Sequence, residues 1–481
     1  MLLEDDRNLC YSDEEWTALG ASRLNKSEIA AQSQDIPGGL FNSYTQNFLV
    51  KKNEFPYWSL KTIFFDNEGR SPRMSFSTHP KLDEFTELYL YLGLQIDRHV
   101  EGFVDAYYGP PEIKKRVQSE DLPSPDQLGH NVKLLMSNLE DTSYDDHRTG
   151  YLRKQIIAMQ TIIKKLQKEK ISYLDEVEQC FDIRPKRTDE TKFPEALETL
   201  EELVPGTGPL TDRYETYRTQ FEIPRDNLLS IIKLTCEIVQ KKTKLTVVGS
   251  ELPDHEGVEF SIVENQPWSA YNWYLGQAQS KIEVDITPPK NALVILDTIA
   301  HECYPGHHTE HAIKEHLLYH QKGYGENAMQ LTLAPESLVS EGIANYGRQL
   351  IFSDQEVLDW TNEHVFPLLP TRPTFDTETQ LEIANAAKVF DALGSHLAFL
   401  LHVDGLSTDE VVKFALENTF LTEKRIQTHL LFVQDPLWRS YIFNYYYGEY
   451  LVRKHVEQGD RLARFQDLLQ AQYWPSLLGS S

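Results

Sequence analysis

His301-Glu302-Cys303-Tyr304-Pro305-Gly306-His307-His308 is the stretch on which the reading of this chain turns. It opens with His-Glu, the first half of the H-E-x-x-H pattern. In that pattern residues i and i+4 share a helical face and hold zinc, while the Glu reaches the metal-bound water as general base. Here position i+4 is Pro305, which has no ligand atom. On one continuous helix His301 and His308 would share a face but lie about 10 Å apart along the axis, too far for two imidazoles to hold one ion. Pro305-Gly306 supplies a remedy. Proline interrupts the hydrogen-bond ladder and glycine accepts backbone angles closed to other residues, so the pair can bulge out of the helix. Two extruded residues make His307 the second ligand; three make it His308. The two-residue bulge is favoured, with Gly306 expected at positive φ.

A metal site of this kind needs a third protein ligand from a following helix. Glu336-Ser337-Leu338-Val339-Ser340-Glu341-Gly342-Ile343-Ala344-Asn345-Tyr346 reads as that helix. Glu341 is the expected ligand, because Gly342 and Ala344 beside it would let this helix approach the metal helix closely. Glu336 falls in the first turn, where a carboxylate simply complements the helix dipole. Six of the 16 histidines (His301, His307, His308, His311, His316 and His320) lie between residues 301 and 320, a strong local enrichment. The overlapping run His307-His308-Thr309-Glu310-His311 also fits the inverted H-x-x-E-H pattern, with His307 and His311 as ligands and Glu310 as base. That alternative leaves His301-Glu302 and the Pro-Gly pair without a role. His316 and His320 read as polar helix surface. Cys303, turned away from His301 on a helix, reads as a small buried residue.

Outward from this segment the texture is mostly helical. Upstream, Phe85, Leu88, Leu92 and Ile96 recur at helical spacing from Asp83, and Gly109-Pro110-Pro111 closes the segment. Leu152, Ile156, Ile163 and Leu166 form a second apolar stripe. Between about residues 243 and 287 come four short β-branched or aromatic runs: Lys244–Val248, Val258–Val263, Tyr271–Tyr274 and Lys281–Ile286. They predict a small antiparallel sheet. After Pro288-Pro289 the chain returns to helix, with Ser407-x-x-Glu410 as a capping box. The expected fold class is α+β, predominantly α-helical. Three regions are expected: an irregular N-terminal extension over 1–80, a helical region over 81–242, and a catalytic region over 243–481. The last holds the small sheet (243–287) and the helical metal-site half.

The 481 residues carry 47 Lys+Arg against 73 Asp+Glu, a net charge of −26, with 40% hydrophobic and 11% aromatic residues. That supply of apolar side chains excludes general disorder. The acidity argues against nucleic acid and anionic membrane partners, which need a basic footprint. No run approaches the ~18 apolar residues of a membrane span. Four scattered cysteines make no disulfide framework, and the acidic start MLLEDDRNLC is unlike a signal peptide. A cytoplasmic location is expected.

The run HECYPGHH, followed by SEGIANYG at 340–347, resembles the domain-of-unknown-function-885 family, zinc-metallopeptidase-like proteins related to the gluzincins. The resemblance extends from roughly residue 84 to the C-terminus. It takes in Asp105-Ala106-Tyr107-Tyr108-Gly109-Pro110, the Asn272-Trp273-Tyr274 strand and Tyr445-x-x-Gly448. The family's His-Glu, Pro-Gly-His-His and Glu-Gly pairs map onto His301-Glu302, Pro305 to His308, and Glu341-Gly342. A common family pattern has Gln where this chain has Glu310. The resemblance implies a gluzincin-like helical body with the small sheet beside the metal helix, one bound Zn2+ per chain, and hydrolysis of a peptide or amide bond in a small substrate. In that scheme His301, His307 (or His308) and Glu341 hold the zinc and Glu302 is the base. Tyr445, from the family's Tyr-x-x-Gly, is a candidate oxyanion donor. Asn272 and Tyr274 lie on a strand suited to pair with an extended substrate backbone, and Arg439 suits a substrate carboxylate. Two other functions stay open: a non-catalytic helical binding or scaffold protein that keeps the fold, and a zinc esterase. Oligomeric state is not legible.

Overall fold

The computed structural model describes residues 79–248, 251–266, 268–287, 289–374 and 376–479. The extension expected over 1–80 therefore lies, but for its last two residues, outside the described residues. Helix α1 (Glu84–Asp97) begins where the apolar spacing predicts a helix. Asp83 caps it by accepting from the Thr86 N–H at 2.8 Å, and Phe85, Leu92 and Ile96 turn into the core while Leu88 stays exposed. A short strand, β1 (Val104–Tyr107), follows before the Gly-Pro-Pro stop. In α2 (Asp146–Leu166) all four stripe residues, Leu152, Ile156, Ile163 and Leu166, are buried.

Helix α3 (Arg225–Thr243) runs on helically through Lys244–Val248, where a strand was expected. The physical reason is tertiary. Val247 and Val248 are buried in the main core, and Lys244 Nζ reaches the buried Glu256 carboxylate at 2.6 Å. Packing of that face outweighs the β-propensity of a valine-rich run. The other three expected strands form: β2 (Gly257–Val263), β3 (Ala270–Gly276) and β4 (Gln279–Asp285). Strands β3 and β4 make an antiparallel hairpin through a turn at Gln277-Ala278, both at positive φ. Strand β4 returns between β3 and β2, so β2 joins it in parallel, with Gly257 opposite Gln279 and Val263 opposite Asp285.

Beyond the sheet come α4 (Ile295–Glu302), α5 (His307–Lys314) and the strand β5 (Met329–Leu331), which pairs antiparallel with β1. Two helices complete the site: α6 (Pro335–Ile351) and α7 (Phe443–Val456). The Ser407-x-x-Glu410 capping box is present, with both of its reciprocal bonds. The fold is predominantly helical α+β. Its main core runs from Leu82 to Leu478 and draws on both sides of residue 242. A smaller core joins residues around Phe193–Tyr214 to those around Ile383–Leu430.

Helices α6 and α7 touch through backbone. A Cβ on Gly342 would overlap the Gly448 carbonyl, and one on Gly448 would sit 2.5 Å from Leu338 O and 2.9 Å from Gly342 N. Gly342 thus faces α7, not the metal helix as its sequence position suggested. Overpacking a contact with no side chain to yield costs at least about 3 kcal/mol, the upper part of the usual range. Gly448→Ala is expected to lower unfolding free energy by that amount in urea titration. Wild-type stability in this variant would show that the two helices can part without cost.

Candidate metal centre

The metal motif is two helices with a break between them. Cys303 N–H still donates to Ile299 O at 2.9 Å, and then four residues, Cys303 to Gly306, leave the helix before α5 starts at His307. A two-residue bulge was expected; the departure is longer because α5 begins a fresh helix and does not resume α4. Gly306 has φ −78° and ψ −142°, so the expected positive φ is absent. What demands glycine is space. A Cβ at 306 would overlap His301 O and sit 2.6 Å from Ala300 O, and the Gly306 N–H donates to that same Ala300 carbonyl at 3.0 Å.

The break lays α5 back against the end of α4. The His301 and His307 rings lie 4.5 Å apart between centroids with planes at 86°. Helix α6 brings in Glu341, whose Oε2 is 3.7 Å from His301 Nε2. The ligand atoms of His301, His307 and Glu341 all fall within 4.8 Å of one another, the one such group among the described residues. Donors about 2.1 Å from a tetrahedral ion stand roughly 3.4 Å apart, so this spacing is within easy reach of one ion.

Each imidazole is held from behind. His301 Nδ1 lies 3.1 Å from Asn345 Oδ1, and His307 Nδ1 lies 3.1 Å from Ser340 Oγ. Such partners fix the ring and aim its other nitrogen at a metal. Ser340 in turn donates to Glu310 Oε2 at 2.6 Å, and Glu310 Oε1 holds Lys314 Nζ at 2.6 Å. Glu310, the base of the inverted motif, is therefore tied to Ser340 and Lys314. His311, its second ligand, stacks on His307 with Gln330 Nε2 2.6 Å from its Nδ1. His308 faces the other way, toward Ser280 Oγ at 2.8 Å and Glu256 Oε2 at 3.0 Å. Of the two alternatives left by the sequence, the structure brings His307 to the centre.

The electrostatics suit a cation. Glu341 Oε1 accepts from the Tyr441 hydroxyl at 2.9 Å, but its Oε2 and the Oε1 of Glu302 accept no hydrogen bond, although both residues are buried. Burial pushes the Glu341 carboxyl up to about 8, with Asp105 and Glu310 adding to it. Burial, then the charges of Glu341 and Asp105, raise Glu302 well above the carboxylate range. Burial and the neighbouring His307 hold His301 far below its ordinary value, so its imidazole is neutral and can ligate. Buried, bare carboxylate oxygens are costly, and a divalent ion among them removes both that cost and their mutual repulsion. The donor set fits a metal.

The remaining expected residues scatter. Asn272 lines the cavity of about 100 Å³ in front of His307, Glu302 and Glu341, and its Nδ2 donates to the Glu302 carbonyl at 2.7 Å. Tyr445 packs edge-on against Tyr441 at 5.6 Å, close enough that Glu341 and Glu302 add to the effect of burial in raising its hydroxyl pKa. The Tyr274 hydroxyl instead donates to Glu315. Arg439 lies apart from the centre, with Nη2 2.7 Å from the buried Glu176 carboxylate and its guanidinium over Tyr173. Sequence reasoning assigned no role to Tyr441, Ser340, Asn345, Asp105 or Tyr271. Asn345 had a signal: four residues after Glu341, it occupies the next turn of the same helical face. Asp105 stood in the resembling run at 105–110, while the others reach the site through tertiary packing.

No protein-family model matches this chain, and no curated protein matches it. Among solved structures it is similar to a protein described as a lipoprotein from Colwellia psychrerythraea, at 16% identity and a TM-score of 0.45, covering 84% of this chain and 76% of that one. It is also similar to Trypanosoma cruzi metallocarboxypeptidase 1, at 13% identity and a TM-score of 0.35, covering 82% of this chain and 89% of that one.

Removing the group behind His307 tests the arrangement. Ser340→Ala is expected to weaken divalent-metal binding by about ten-fold, the lower end for loss of a ligand's hydrogen-bond partner. Chelator competition reads this directly. Unchanged affinity would mean that Ser340 does not orient His307.

Proposed function

We propose that this protein is a zinc-dependent hydrolase acting on peptide or amide bonds of small substrates. The observation that supports it best is Glu302. Its carboxyl is buried next to ligand residue His301, leaves Oε1 without a hydrogen bond, and lines the same cavity as His307 and Glu341. Holding a metal needs no such group; moving a proton beside one does. Two imidazoles and one carboxylate with room for a further ligand is the donor set of catalytic zinc.

His301, His307 and Glu341 would hold the ion, with Tyr441 fixing Glu341 through Oε1 and Ser340 fixing His307. Zinc, when bound, supplies Lewis-acid polarisation of a carbonyl and acidification of water. Glu302 takes the proton of the attacking water on its carboxylate and passes it to the leaving amine. Asn272 keeps that side chain in place by holding the Glu302 backbone carbonyl. Tyr445, which packs on Tyr441, would be the donor to the charge that develops on the carbonyl oxygen. The same groups would cleave an ester, whereas a scaffold would have no use for Glu302. A reducing, cytoplasmic setting belongs to this reading. It is supported by Cys180, Cys236 and Cys303 being free thiols.

Glu302→Gln separates the roles. It is expected to keep one zinc per chain and lose on the order of a hundred-fold or more in turnover of a peptide library. A chelator should abolish the wild-type activity, and added zinc should restore it. Loss of zinc from Glu302→Gln would make Glu302 a ligand; undiminished turnover would remove it from the chemistry.

A further inference from the structure

The cavity in front of the metal centre has a one-sided chemistry. Asp105, Glu302, Glu310, Glu336 and Glu341 line it, and the opposing ammonium, Lys314, is already held by Glu310 at 2.6 Å. Every hydroxyl that lines it donates to an acceptor of the protein. Tyr441, Ser340, Tyr151 and Tyr271 donate to Glu341, Glu310, Glu336 and Asp105 respectively. The rest donate to backbone carbonyls or to Asp467. The fully buried lining atoms that have no partner are acceptors. Besides the oxygens assigned to metal and base, they are Asn272 Oδ1 and Gln472 Oε1, on residues only 7% and 2% exposed.

A ligand group seated against these oxygens must bring donors. A carboxylate there would face the like charge of Asp105 in a poorly solvated pocket. An ammonium or guanidinium satisfies the bare oxygens with charge-assisted hydrogen bonds. The position nearest the chemistry is set by Asp105 and Asn272. Asp105, which accepts from the Tyr271 hydroxyl, lines the cavity together with Glu302 and Glu341, and Asn272 is bonded to the Glu302 backbone.

We infer that this cavity holds a cationic hydrogen-bond donor of the substrate, an ammonium or guanidinium, against Asp105 and the amide oxygen of Asn272. The inference rests on the hydrolase reading and narrows it. The substrate presents a free amino terminus or a basic side chain next to the bond that is cleaved, and it does not place a carboxylate there.

Calorimetric titration of the zinc-loaded Glu302→Gln protein with two matched probe pairs tests this. The first pair is leucyl-glycine amide and its N-acetyl form. The second is N-acetyl-lysyl-glycine amide and its norleucyl counterpart. The expected result is that the ammonium-bearing member of at least one pair binds ten-fold or more tighter than its neutral partner. Preference in the first pair identifies an α-ammonium, and in the second a side chain. Asp105→Asn should cut the preference to three-fold or less, and Asp105→Glu, which keeps the charge, should restore it; that rescue separates charge from any disturbance of β1. Equal or tighter binding of the neutral members in both pairs would overturn the inference. So would a preference that survives Asp105→Asn, or no binding by either pair at millimolar concentration. Turnover of the same peptides by the wild-type enzyme is read separately. Absence of hydrolysis alongside an intact ammonium preference would sink the hydrolase reading and leave the cation site standing.

Discussion

Gly306 packs so closely on the end of α4 that no side chain fits between it and the His301 carbonyl, and the candidate metal centre depends on that contact. With any Cβ there, α5 could not fold back to put the His307 ring 4.5 Å from that of His301. The break is buttressed from α6 as well. A Cβ on Gly347 would come 2.8 Å from Pro305 Cγ, so the proline of the break is seated against a bare stretch of α6. Helix α6 is in turn pressed onto α7 at Gly342 and Gly448. Close approaches at glycines, where bulk would be fatal, thus set the separation of the three candidate ligands. Position follows from what is missing at these sites more than from what is present.

Electrostatics complete what sterics begin. Beyond the effect of burial, Glu341 and Asp105 raise the cost of charging Glu302, and Asp105 raises that of Glu341. Such crowding is tolerated where a cation resolves it, and it is the common signature of a functional site. The far side of the motif is treated differently. There His308, Tyr304 and Lys244 converge on Glu256, which burial pushes up but which these three partners bring down to about 2. One carboxylate is fully satisfied and structural, and the two across the helix break are left poised. Adjacent histidines, His307 and His308, thus come to lie in different surroundings.

How much of this was legible beforehand depended on distance along the chain. His301, Glu302 and Glu341 stood out because ligand chemistry is written in residue type, and the two helices around them have ordinary local signals. The Pro-Gly pair announced a break, but not its length or its cause, since the atoms that exclude a Cβ belong to a turn already passed. Lys244–Val248 looked like a strand because valine favours strands, while burial of Val247 and Val248 and the pairing of Lys244 with Glu256 decide for helix. The parallel placement of β2 could not be read from alternation, which is the same in either direction. Arg439 and Tyr274 had the right chemistry for a substrate, yet their partners Glu176 and Glu315 lie on distant segments that no local pattern links to them.

The proposed function rests on three side chains meeting at one ion. Anomalous diffraction at the zinc absorption edge, from crystals of the zinc-loaded protein, measures that directly. The expected result is a single peak per chain, about 2.0–2.2 Å from one ligand atom each of His301, His307 and Glu341. A peak held by His308 or His311, or no peak at this position, would contradict it.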